Sequence, residues 1–138
     1  IILGKYQQAL ACFEAAIKLD PQHLDGWNNK AVALAESGNP REALVVLDQA
    51  LALAIPNPSV EVKHRMAKIY MNKGNILFTQ GRVEEAITCY NNAIELHKDY
   101  ATAWTSKGFA LDNMGTCRLL NFFFRRIEIW QNYYVKFN

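Results

Sequence analysis

The chain has 138 residues, 51% hydrophobic and 20% charged, with 15 Lys/Arg against 13 Asp/Glu for a net charge of +2. That length supports one domain with a modest core, and so small a net charge gives no reason to expect a nucleic-acid partner. No apolar run approaches the roughly 20 residues that span a bilayer. Cys12, Cys89 and Cys117 are far apart, odd in number and form no CxxC, so they read as reduced thiols in a reducing, cytoplasmic compartment.

Taken in chain order, residues 1–21 hold one helical pattern, with Gly4, Tyr6, Ala9, Phe13 and Ala16 closed by Asp20-Pro21, since proline cannot continue a helix. Residues 24–57 hold two. Trp27, Ala31 and Leu34 form the apolar stripe of a first helix; beyond Gly38, Leu44, Leu47, Leu51 and Ala54 form that of a second. Residues 58–100 repeat the scheme with Tyr70, Gly74 and Leu77, then Gly81, then Ala86, Tyr90 and Ala93. The added segment PSVEVKHRM (58–66) is expected to lengthen the first of these helices, with Ser59 as its N-cap after Pro58. Residues 101–115 supply one more first helix, marked by Trp104, Gly108, Leu111 and Gly115.

These units share one frame. Gly4 and Gly38 are 34 residues apart, as are Gly81 and Gly115, Ala9 and Ala43, and Ala16 and Ala50. The small residues have a physical reason. Antiparallel helices approach closely only where side chains are short, so Ala31, Gly74 and Gly108 are expected at crossings facing Ala43 and Ala86. Glycine between the helices supplies a cap conformation that other residues resist.

The pattern resembles the tetratricopeptide repeat, whose order is Trp, Leu, Gly, Tyr, then Ala, Phe, Ala, Pro. Here it stands as Trp27, Ala31, Leu34, Gly38, Ala43, Leu47 and Ala50, and again as Tyr70, Gly74, Leu77, Gly81, Ala86, Tyr90 and Ala93. Lys30, Lys73 and Lys107 stand where the family usually has leucine, and Ile55 and Lys98 replace the terminal proline. The resemblance covers residues 1–115 and implies an all-α solenoid of helix-turn-helix repeats wound as a right-handed superhelix. It also implies a protein-interaction scaffold that takes a partner protein or extended peptide in the groove lined by the first helices. The groove positions fall on Asp25, Asn28, Asn29, Val32 and Ala35 in one unit, and on Lys68, Met71, Asn72, Asn75 and Phe78 in the next. In the last they fall on Thr102, Thr105, Ser106, Phe109 and Asp112. Asn29 and Asn72 occupy equivalent sites, and stacked carboxamides can pair with a peptide backbone whatever its sequence. Against that stands the plain reading of Asn as a solvated surface residue. A second family mode, a clamp for acidic C-terminal peptides, is matched at Asn29 and Lys68 but meets Asn72 where arginine is expected.

No chemistry competes with this reading. His23, His64 and His97 have no second ligand three or four residues away, and GxxxxGK[ST], GxSxG and HExxH are absent. Neither cofactor, metal nor catalytic activity is expected. The alternative function is a regulatory or targeting module of a larger enzyme or signalling protein whose catalytic domain lies outside these residues.

Residues 116–138 depart from the frame. They hold four Lys/Arg against one Asp/Glu and seven of the 16 aromatic residues. Leu120, Phe123, Phe124, Ile127, Trp130, Tyr134 and Phe137 still fall at helical spacing, so a divergent aromatic and basic helix or tail is expected. Three readings stay open for it: a helix docked on the last repeat, an unselected continuation, and a surface for self-association or membrane contact.

Overall fold

The computed structural model describes residues 2–53 and 56–137, with the side chains of Ile2, Leu3 and Phe137 left aside. Ala54 and Ile55, and the stripe position at Phe137, lie outside what is described. Among the described residues every element is an α-helix: α1 (Ile2–Leu19), α2 (Leu24–Glu36), α3 (Pro40–Leu51), α4 (Val60–Thr79), α5 (Val83–Leu96) and α6 (Ala101–Phe137). The closest packing is within the hairpins α2–α3 and α4–α5. Successive hairpins stack through α3 on α4 and α2 on α4, with α1 covering α2 and α6 lying on α5. This is the all-α repeat solenoid expected from the 34-residue frame.

The two hairpin turns have the same cause. Gly38 and Gly81 adopt φ of +91° and +77°, in the left-handed region that glycine enters without a Cβ clash. Each closes a Schellman cap. The Asn39 N–H donates to Leu34 O at 2.8 Å and the Gly38 N–H to Ala35 O at 3.2 Å. One repeat later, Arg82 N–H donates to Leu77 O and Gly81 N–H to Phe78 O, both at 3.0 Å. The following helices start well, α3 with Pro40 in its first turn and α5 with Glu84 and Glu85 at the positive end of its dipole.

Where the expected turn at Gly115 should come, there is none. α6 continues for 37 residues, about 55 Å at 1.5 Å per residue. The residues after Gly115 oppose a close return: in frame, Leu120 and Ile127 would stand where both intact hairpins have alanine, and added methylenes at a close crossing are resisted. The Thr116 hydroxyl donates instead to Asp112 O at 3.0 Å, one helical turn back. No α6 side chain beyond Met114 that the structure describes is more than partly covered, so the aromatic stripe from Leu119 to Tyr134 stands exposed.

The core follows the repeat. Ala31, Ala43, Ala50, Ala67, Ala86 and Ala93 are inaccessible at the crossings, with Leu47, Leu77, Ile69 and Tyr90 filling the space between. Gly74 shows why a small residue is needed: a Cβ there would lie 2.5 Å from a Tyr90 ring carbon. Gly108, expected at a similar crossing, has nothing within 4 Å of that point. The insertion behaves as anticipated, since Ser59 Oγ accepts from Val62 N–H at 3.3 Å and α4 begins at Val60.

Two of the three family-departing lysines pair with the preceding helix. Lys30 meets Glu14 of α1 at 3.1 Å and Lys73 meets Asp48 of α3 at 2.6 Å. Burial opposes the Lys73 charge, but the hydrogen bond and field of Asp48 outweigh it and hold its pKa above the ordinary lysine value. The register of stacking is thus marked by an ion pair at each of these junctions. Lys107 instead sits over the Trp104 ring at 5.5 Å. Cys89 is buried, whereas Cys12 and Cys117 are exposed, and all three are free.

Candidate functional site: the α4–α6 cleft

α2, α4 and α6 are the first helices of successive units, and their groove positions have unequal fates. In α2, Asn28 is buried, Asp25 and Val32 are half-buried, and Asn29 is exposed. Asp25 lies 3.7 Å from Arg65, which the lengthened start of α4 brings across to it. In α4, Lys68 and Asn75 are exposed, Asn72 and Phe78 half-buried, and Met71 buried. In α6, Thr105 and Phe109 are exposed. Asn28 and Met71 therefore pack between helices, leaving the others to meet solvent.

Between α2 and α4, Asn72 Nδ2 donates to Oδ1 of buried Asn28 at 2.8 Å. This bond satisfies a carbonyl that burial would otherwise leave unpaired, and it joins α2 to α4. Asn72 is thus occupied within the protein, which weakens the ladder reading.

Farther along, the groove positions converge. A cleft of about 410 Å³ opens between α4 and α6. Phe78 and Phe109 face it as apolar surface, together with the edge of Tyr90. Asn75, Ser106, Asp112, Asn113 and Thr116 supply amide, hydroxyl and carboxylate groups. The Tyr90 hydroxyl donates to Asn75 Oδ1 at 3.0 Å, which fixes that amide and leaves its NH₂ facing outward. Burial pushes the Tyr90 phenol up, so it remains a donor at any physiological pH. Asp112 is the single ionisable carboxylate on the lining, and no lysine or arginine accompanies it. Chemically this is a binding surface, two aromatic rings bordered by hydrogen-bonding groups.

Of the groove residues expected from sequence, Asn75, Phe78 and Phe109 come together here, with Ser106 and Asp112 beside them. Thr105 does not; its hydroxyl donates to Ala101 O at 3.1 Å. Tyr90, Asn113 and Thr116 were not anticipated. Tyr90 belongs to a second helix, and Thr116 reaches the cleft only because α6 runs past Gly115. Histidines 64 and 97, isolated in sequence, stack with ring centroids 3.8 Å apart. Among the described residues no group of three or more His, Cys, Asp or Glu could hold a metal ion, and no helix is long and apolar enough to cross a membrane.

The family models match in the same frame, one described as "Tetratricopeptide repeat" over residues 3–58 and one as "TPR repeat" over residues 74–115. The chain belongs to the tetratricopeptide repeat family. A similar protein is the DnaJ homolog subfamily C member 7 homolog of Schizosaccharomyces pombe, 28% identical over 109 residues, which is 70% of this chain and 22% of that protein. Tetratricopeptide repeat protein 36 of Xenopus tropicalis is 34% identical over 93 residues, 67% of this chain and 44% of its own length. The chain thus spans less than half the length of either relative. Among solved structures, the first tetratricopeptide domain of human RPAP3 superposes with a TM-score of 0.68 at 22% identity, covering 82% of each chain. The first such repeat domain of Spaghetti (RPAP3), bound to the HSP90 peptide SRMEEVD, gives 0.66 at 22% identity over 81% of this chain and 82% of that one.

Proposed function

We propose that this chain is a protein-interaction scaffold that takes an extended segment of a partner protein along its concave face, anchored in the α4–α6 cleft. The observation that carries this reading is the convergence of Phe78 and Phe109 on one cleft bordered by Asn75, Ser106 and Asn113. An apolar side chain of the peptide would sit between the rings, while its backbone N–H and C=O groups would meet the carboxamides, which offer both donor and acceptor. The cleft's one charge is Asp112, so the preferred peptide is neutral or basic beside its apolar anchor. The acidic peptide seen on the RPAP3 neighbour is a poor match for it.

The test uses peptides selected by the full chain from a random displayed library, with SRMEEVD as an acidic control. Phe109→Ala should weaken the selected peptides on the order of tenfold or more, the usual effect of truncating an aromatic anchor. Val45→Ala, an exposed position on α3, should leave them unchanged. Equal affinities for both variants would remove the cleft from the account.

A second reading rests on the shares of length. The chain is 24% identical over 107 residues to the human Protein O-mannosyl-transferase TMTC1, but this is only 12% of that protein. In this reading the repeats position a larger protein whose catalysis lies elsewhere, and the groove still does the recognising.

A further inference from the structure

The groove positions include two carboxylates, Asp25 and Asp112, whose surroundings differ. Asp25 of α2 lies 3.7 Å from Arg65 of α4, which is also paired with Glu61 at 2.6 Å. Asp112 of α6 is exposed and meets no lysine or arginine among the described residues. The Thr116 hydroxyl donates to the Asp112 main-chain oxygen at 3.0 Å and leaves the carboxylate open to solvent.

An exposed carboxylate loses little by staying unpaired, so its neighbours decide what it can do. Asp112 stands three residues beyond Phe109, the spacing that sets two side chains next to each other on a helix, with about 5–6 Å between their Cβ atoms. Both line the cleft, with Phe78 across from them on α4. Phe109 is 69% exposed, so a face of its ring stays open once an apolar anchor has filled the space toward Phe78.

An aromatic face beside a carboxylate suits arginine best. Its planar guanidinium can lie on the ring while its N–H groups, held in a rigid fork, donate to the carboxylate. The lysine ammonium is a compact, strongly hydrated point charge without that plane or fork. The chain makes each half of the contact elsewhere. Arg126 stands over the Phe122 ring at 5.4 Å, and Arg82 donates to both Glu85 oxygens at 2.7 and 2.6 Å. Phe109 has no such cover, because its neighbours three and four residues away on α6 are Thr105, Ser106, Asp112 and Asn113, none of them cationic.

We propose that the partner segment carries an arginine beside its apolar anchor, and that Phe109 and Asp112 together bind the guanidinium. The proposal rests on the reading of the α4–α6 cleft as the peptide site and names the side chain that site selects. It also sets a spacing. Residues two apart in an extended peptide point the same way about 6.5–7 Å apart, close to the separation of Phe109 and Asp112, so the arginine stands two residues from the anchor.

The test is parallel selection of a random displayed peptide library on the full chain and on its Asp112→Asn variant, with circular dichroism checking the fold. Wild type should enrich arginine two residues from an apolar side chain. The variant should keep the apolar preference and lose the arginine. In a peptide selected on wild type, citrulline in place of that arginine keeps the plane and loses the charge. It should weaken binding to wild type about fivefold, and to Asp112→Asn by less than about twofold. Lysine in place of the arginine should cost wild type about threefold. Equal enrichment of arginine on both proteins, no enrichment on either, or equal binding of arginine and lysine peptides would each overturn the proposal. Phe109→Ala separates this failure from that of the underlying reading. If it still abolishes binding, the cleft stands and only the arginine contact falls. If it leaves the selected peptides unaffected, or the library yields no binder, both fall.

Discussion

Adding a methyl group at Gly74 should destabilise the fold by about 1 kcal/mol, whereas the same change at Gly108 should stabilise it by up to about 1 kcal/mol. At Gly74 the new Cβ would lie 2.5, 2.8 and 3.2 Å from three carbons of the Tyr90 ring. Carbon atoms rest at about 3.5–4.0 Å, so the ring or the helix must retreat by about 1 Å. The ring is 2% exposed, and its hydroxyl is held by Asn75 at 3.0 Å, so a retreat toward the cleft would disturb that bond. Overpacking of this kind costs roughly 1–3 kcal/mol, from which the better helix propensity of alanine recovers about 1 kcal/mol. At Gly108 only the propensity gain applies, because nothing stands within 4 Å. Urea denaturation followed by far-UV circular dichroism measures both variants, at concentrations where the chain is monomeric. Gly74→Ala combined with Tyr90→Leu recreates the Ala31–Leu47 pairing of the preceding hairpin. Its loss should fall short of the sum of the single losses by at least about 0.5 kcal/mol. Equal stabilities for Gly74→Ala and Gly108→Ala would refute the close-crossing argument and the repeat frame with it.

Other outcomes follow from the same packing. Asn72→Ala should cost about 1–3 kcal/mol in a urea melt, because it leaves the buried Asn28 carbonyl without its donor, whereas Asn29→Ala on the exposed side should change stability little. Of the three thiols, Cys12 and Cys117 should react rapidly with an alkylating reagent in the native chain and Cys89 slowly, since burial both shields it and pushes its thiol pKa up. Three equal rates would contradict the placement of α5. Deleting the residues after Thr116 should leave the thermal midpoint of the remaining chain nearly unchanged, because those side chains are exposed along α6. A loss of several degrees would show that this helix packs on the repeats.

Much of this fold was legible in the sequence because the repeat states each constraint more than once. The turns at Gly38 and Gly81, the alanine crossings and the Ser59 cap each follow from local rules acting on local residues. Gly115 misled for the same reason. It matches the turn glycines by position, but a hairpin also needs short side chains on the returning helix, and Leu120 and Ile127 stand where the intact units have alanine. Contacts between hairpins were harder to anticipate. The bond from Asn72 to Asn28, the ion pair of Lys73 with Asp48 and the stack of His64 on His97 depend on how one hairpin sits on the next. Helical periodicity reports which face is buried, not which residue of another helix lies opposite. The cleft shows both sides of this: Asn75, Phe78 and Phe109 lie at family groove positions, while Tyr90 and Thr116 required the tertiary arrangement.

The central claim is that the concave side of α4 and α6 takes the peptide. Amide and aromatic side-chain NMR shifts of the full chain, titrated with a library-selected peptide, test it most directly. The account predicts that the largest changes fall on Asn75, Phe78, Ser106 and Phe109, with little effect on the exposed residues of α3 such as Val45. Changes centred on α3 and α5, or confined to the aromatic residues beyond Leu119, would contradict it.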